Sequence, residues 1–146
     1  VGEVRHSTVV NAPREKVFAY VNSYLNVPEY FFGISTFAPV TEQTDGVGAT
    51  FDAAIKIGPK ELTSRTECIE WAENEAISLQ SIAGLKSAVD WRFGDGEEDG
   101  TTALDVVIEY TLPGGLVGKL LNPLMGPFAD QAVKHTEKVV RANTEA

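Results

Sequence analysis

Polar and apolar positions alternate through most of this chain, and the period of the alternation changes twice. Glu3 to Val10 alternates and is rich in β-branched residues, which predicts a first strand. Pro13 then opens a helix, because its fixed φ and missing N–H suit a first turn. Asn11 or Ala12 is expected to cap it, and Glu15 places a carboxylate near its positive end. Val17, Val21 and Tyr24 recur at helical spacing with Phe18 beside them. Asn22-Ser23 and Asn26-Val-Pro28 interrupt the run, so two short helices are expected after the first strand. The second would carry Tyr30, Phe31 and Phe32.

From Ile34 the period returns to two. Strand-length runs are separated by turn signals at Asp45-Gly46, Gly58-Pro59, Glu73-Asn74, Gly84-Leu85 and the acidic Asp95–Gly100 segment. Phe51, Ala53, Ile55 and Ile57 share one strand face; Val89, Trp91 and Phe93 share another; Leu104, Val106, Ile108 and Tyr110 a third. Such alternation marks strands with one buried face, and short links make them antiparallel neighbours. With the first strand, about seven strands are predicted. Leu112-Pro-Gly-Gly115 ends the last one, and about Leu116 to Ala142 reads as helix. Pro123 and Pro127 are expected to bend or reset its beginning. Leu121, Leu124, Met125, Phe128, Ala132 and Val139 lie along one apolar arc, with Asp130, Lys134, Glu137, Lys138 and Arg141 opposite. The expected fold is therefore α+β, a single domain over residues 1–146. Its terminal helix must bury one side against the sheet, the only large surface able to receive it.

Composition narrows the partners. The 146 residues favour one core, and 43% hydrophobic with 23% charged residues is an ordinary globular balance. A net charge of −9 repels nucleic-acid phosphates and anionic membranes, so neither is an expected partner. No apolar run approaches the roughly 20 residues that span a bilayer, so no membrane insertion is expected. The single cysteine, Cys68, cannot form an internal disulfide, which makes a reducing cytoplasm the expected location.

In order and spacing, several short motifs resemble the Bet v 1-like, or START-like, superfamily in its bacterial polyketide cyclase/dehydrase and lipid transport branch. They are Asn11-Ala-Pro13 with Val17-Phe18, Pro28-Glu-Tyr30 ahead of Gly33, and Gly48-Ala-Thr-Phe51. Trp91, Thr101-Thr102 and Leu112-Pro-Gly-Gly complete the set. The Lys56-Ile-Gly-Pro59 hairpin is also similar to that of the small proteins associated with carbon monoxide dehydrogenase. The resemblance implies a helix-grip architecture: a curved antiparallel sheet wrapped around the C-terminal helix, with a ligand cavity between them. It does not imply one chemistry, since the superfamily includes carriers, lipid and quinone binders, receptors and cyclases.

Within such a cavity the expected ligand-binding residues are Tyr30, Phe31, Phe51, Ile55, Trp91, Phe93, Phe128 and His135. Large aromatic walls with few polar groups are the normal form of a small-molecule site. His135 falls within about 20° of Phe128 on the helix, at the edge of the apolar arc. It reads either as a ligand-orienting group and general base or as a flank residue bonded to backbone or water. His6 shares a strand face with Val4, Thr8 and Val10, and either an inward or a solvent-side place explains it. Two histidines so far apart, without ligand spacing, make no metal site, and no cofactor is expected. Arg65 and Glu67 share one strand face, as a polar anchor in a cavity or as a solvated outer face. Cys68 reads as a small packed residue.

The leading expectation is a carrier of a hydrophobic small molecule, gated by Tyr30 to Gly33 with the Gly58-Pro59 hairpin. The alternative is a cyclase or dehydratase using His135 as base with Arg65 or a tyrosine as electrophilic support. A third is an accessory role beside a partner enzyme. Association with a second copy of the chain is left open.

Overall fold

The computed structural model describes residues 2–145. In it the period-two segments form one seven-stranded sheet, ordered β1-β7-β6-β5-β4-β3-β2 and antiparallel throughout. The strands are β1 (Gly2–Val10), β2 (Ile34–Pro39), β3 (Thr50–Ile57), β4 (Lys60–Ala72), β5 (Ala76–Gly84), β6 (Lys86–Asp95) and β7 (Thr102–Thr111). From β2 to β7 each strand pairs with the next in the chain, as short polar links require. The exception is the passage from β1 to β2, which joins the two edges of the sheet. It runs through α1 (Arg14–Asn22), a 3-10 turn (Tyr24–Asn26) and α2 (Val27–Tyr30). Helix α3 (Gly115–Thr144) closes the chain.

The local detail differs from expectation in three places. Pro13 is the cap rather than the first helical residue, and its carbonyl accepts from Lys16 and Val17 at 3.0 and 3.1 Å. No side chain caps α1; the Asn11 N–H instead donates to the Glu145 carboxylate at 2.6 Å, tying the end of β1 to the end of α3. Helix α2 ends at Tyr30, so Phe31 and Phe32 lie just beyond it in the approach to β2. Helix α3 runs unbroken through Pro123 and Pro127. Each proline removes one rung of the helical ladder, so the first half of α3 depends on burial of Leu121 and Met125.

Inward positions follow the predicted parity on β6 and β7. The pairing of β4 with β5 is broken by two bulges, one at Ile82 of β5 opposite Arg65/Thr66 and one at Ile69 of β4, where such sheets bend and twist. The buried side chains form two clusters, not one. The larger, around Val17, Phe18, Phe93, Leu104 and Val140, joins α1, the sheet and the last turns of α3. The smaller, Ile57, Leu121 and Met125, joins the first half of α3 to β3. Two glycines let α3 rest directly on backbone there. A Cβ on Gly33 (φ +88) would stand 2.8 Å from the Phe128 ring, and one on Gly58 (φ +57) would stand 2.6 Å from Leu124. The Lys56 N–H donates to the Gly33 carbonyl at 2.8 Å, holding these two contact points side by side.

On the outer face Arg65 clasps Asp52 through two hydrogen bonds of 2.8 and 3.1 Å. Those bonds hold the Asp52 carboxyl below its ordinary range. Arg92 bridges Asp90 and Glu70 at 2.9 and 2.7 Å. Burial pushes Asp90 upward, but hydrogen bonds from Arg92 and Ser78 outweigh it and leave the carboxyl lowered. A carboxyl lowered on folding contributes stability above its unfolded pKa, and loses it as pH falls through the folded value. Stability should therefore be level above about pH 5 and fall below about pH 4. The Asp52→Asn, Asp90→Asn double variant should show a shallower fall in urea midpoints between pH 5 and pH 3. A parallel pair of curves would assign no role to these carboxyls.

Candidate functional site

The two clusters do not meet. Between them lies a cavity of about 120 Å³. Met125, Phe128, Ala129 and Ala132 of α3 form one wall, and Val27, Tyr30 and Phe31 close an end. The sheet supplies Ile55 and Ile57 from β3, Val89 and Trp91 from β6, and Ile108 and Tyr110 from β7. A void of this order, lined by carbon, is large enough for an aromatic ring.

Of the eight residues expected to bind a ligand, Tyr30, Phe31, Ile55, Trp91 and Phe128 line this cavity. Phe51 lines a smaller adjoining pocket of about 40 Å³ and stacks on Phe37 at 4.6 Å. The pockets share Val27, Tyr30, Phe37, Leu79 and Trp91. Phe93 has the predicted facing but is not a cavity wall. It lies deeper along β6, 5.1 Å from the Phe18 ring, inside the larger cluster.

His135 also stands outside the lining. Its Nε2 lies 2.8 Å from the Glu29 carbonyl, and its ring packs 5.5 Å from Phe32. Its neighbour Thr136 donates to the Tyr30 carbonyl at 2.8 Å. Together they occupy the last carbonyls of α2, which have no partner within so short a helix. The terminal half of α3 thus clamps the aromatic segment that closes the cavity. His6 does face inward, but its Nε2 meets Glu137 of α3 at 3.1 Å rather than the cavity. Arg65 lies on the outer face with Asp52, because strand parity puts it opposite Ser64 and Thr66. It cannot serve as electrophilic support from there.

The remaining chemistry of the cavity is sparse. Among the described residues no Asp, Glu, Lys, Arg or His lines it; its polar side-chain groups are the hydroxyls of Ser64, Thr66, Ser87, Tyr30 and Tyr110 and the indole N–H of Trp91. The Tyr30 hydroxyl is committed, donating to the Val21 carbonyl at 2.8 Å, and burial pushes its pKa far upward. Cys68 is buried outside this lining, its thiol raised by desolvation. Ser64, Thr66 and Ser87 were not singled out from the sequence. The available signal was their shared parity with Leu62 and Cys68 on β4, and with Val89 and Trp91 on β6.

A curved antiparallel sheet gripping a long terminal helix over an apolar hollow defines the helix-grip class of ligand-binding domains. The chain belongs to the polyketide cyclase/dehydrase and lipid transport family, whose sequence profile matches residues 2–142, within the Bet v 1-like or START-like superfamily. Among solved structures it is similar to TTHA0849 of Thermus thermophilus. That match has a TM-score of 0.79 and 19% identity, covering 97% of this chain and 96% of the other. A START superfamily protein of Mycobacterium smegmatis matches at TM-score 0.71 and 18% identity, over 98% and 97% of the two chains. The Zhui aromatase/cyclase of a Streptomyces species matches at 0.66 and 16%, over 97% and 86%. At such identities the likeness carries the fold and not the ligand. No curated protein sequence matches the chain. Among the described residues no helix is long and apolar enough to cross a membrane.

Proposed function

We propose that this protein binds and carries one hydrophobic small molecule in the cavity between sheet and helix. Lipid, quinone and polyketide-like molecules are the candidate classes. The observation that carries the reading is a mostly carbon-lined void whose polar side-chain groups, a few hydroxyls and the Trp91 indole N–H, are all uncharged. General acid–base catalysis needs a positioned group that exchanges a proton near the working pH, and a buried tyrosine and uncharged hydroxyls supply none. Holding a ligand needs only apolar area and a way in.

The way in is the junction of Phe31 to Gly33, the Gly58-Pro59 turn and the first half of α3. Phe128 and Leu124 cover this junction by contact with the two glycines. The two prolines weaken the helix there, so it parts from the sheet more readily than the second half does. The cavity as it stands accepts a ring-sized body, and a longer ligand enters with α3 partly lifted. A cytoplasmic location suits a chain with one buried thiol.

The test uses N-phenyl-1-naphthylamine, a neutral fluorescent probe. Expected are saturable one-to-one binding by native mass spectrometry and a change in Trp91 emission as the probe fills the space beside it. Absence of saturable binding overturns the proposal. The likeness to an aromatase/cyclase supports a second reading, in which a polyketide-like ligand is converted. Turnover of an aromatic polyketide precursor by the purified protein would replace carriage with catalysis.

A further inference from the structure

We infer that the ligand is electrically neutral and presents a hydrogen-bonding oxygen to Ser64, Thr66 and Ser87; this rests on the binding reading above. The first observation is the missing charge. No cationic side chain lines the cavity, and the nearby cations are engaged elsewhere. Arg65 and Arg92 hold carboxylates on the outer face, and Arg141 donates to Thr8 and the Val9 carbonyl. A carboxylate or phosphate inside would be desolvated without a partner, the least favourable state for an ion.

The second observation is the placement of the hydroxyls. Ser64 and Thr66 come from the inner face of β4, and Ser87 from the inner face of β6, so all three belong to the sheet wall. Thr66 is only 8% exposed. Among the described residues none of the three hydroxyls makes a hydrogen bond within the protein; Ser64 and Ser87 are half-buried and Thr66 is buried, and all three border the cavity. The helix wall opposite, Met125, Phe128, Ala129 and Ala132, offers only a weak thioether acceptor and carbon. The cavity is thus two-sided, with donors that can rotate to suit an oxygen on one side and hydrocarbon on the other. That asymmetry fits a carbonyl, hydroxyl or ester on one edge of an apolar body. It fits neither a pure hydrocarbon nor a fatty-acid anion.

A matched series of probes tests this by displacement of N-phenyl-1-naphthylamine at pH 7: naphthalene, 1-naphthol, methyl 1-naphthoate and 1-naphthoate. Expected are 1-naphthol and the methyl ester about 5- to 10-fold tighter than naphthalene, as for one buried hydrogen bond. The 1-naphthoate anion should bind at least about 100-fold more weakly than the ester. Thr66→Val should erase the advantage of naphthol over naphthalene. The Ser64→Ala, Ser87→Ala double variant makes the same test should Thr66→Val fold poorly. The inference is overturned if the anion matches its ester, if naphthol and the ester show no advantage over naphthalene, or if Thr66→Val and the serine variant each weaken all probes alike. Naphthalene binding without the expected ranking sinks this inference and spares the binding reading. Failure of every probe, N-phenyl-1-naphthylamine included, sinks both.

Discussion

Ala132→Phe is expected to abolish ligand binding and at the same time to raise the melting temperature of the ligand-free protein. Ala132 faces the cavity from α3 and is 8% exposed, so a phenyl ring at this position points into the void. A ring-sized ligand buries on the order of 150 Å² of carbon, worth about 4 kcal/mol. Replacing that ligand by a side chain should therefore raise Kd for a neutral aromatic probe by about two to three orders of magnitude. The same ring adds buried carbon to space already present, which should raise Tm by a few degrees, about 1 kcal/mol for a domain of this size. Were the sheet and helix interlocked instead, the added ring would cost about 1–3 kcal/mol through overpacking, and Tm would fall. Calorimetry of the free variant and probe titration together decide between the two. Ala53→Phe makes the independent check from the sheet side, since Ala53 lines the same cavity.

The second large effect lies in the filled part of the core. Phe18 is 4% exposed and packs edge-on against Trp71 at 5.6 Å and Phe93 at 5.1 Å. Phe18→Ala should cost about 3–5 kcal/mol, because the ring leaves a new hole among close-packed neighbours. That is a large share of the roughly 5–15 kcal/mol that holds a domain folded. Phe31 offers the contrast. It borders the void, so one side of its ring already lacks partner atoms. Phe31→Ala should cost less than about 2 kcal/mol. Urea denaturation with unchanged m-values measures both. Equal losses would mean that the region around Phe31 is as tightly packed as the region around Phe18.

Much of the architecture was legible because periodicity reports which face of a segment is buried. Val89, Trp91 and Phe93 on β6, Leu104, Val106 and Ile108 on β7, and Leu121, Met125 and Ala132 on α3 all turn inward as their spacing predicts. The site was legible only in part, for the same reason. Parity put Phe93 and Trp91 on one face, yet one ends in solid core and the other at the void. Helical angle put His135 near Phe128, but α2 crosses above it and takes its hydrogen bond. Arg65 and Thr66 are adjacent in sequence, and the pleat alone separates an outer ion pair from a cavity hydroxyl. Nor did two prolines in α3 signal that the helix would persist, since packing of Leu121 and Met125 outweighs the missing rungs.

By itself, then, the order of residues determined the elements, their buried faces, the antiparallel neighbours and the need to cover the sheet with the last helix. These are local properties, set by turn chemistry and by side-chain repeats of two or 3.6 residues. Only the tertiary structure decided that the covering is incomplete. The gap between sheet and helix depends on the bulges between β4 and β5, on α3 resting against Gly33 and Gly58, and on α2 being pinned by His135 and Thr136. Those are contacts between distant parts of the chain, and the distance between two inward faces is a quantity that no periodicity contains.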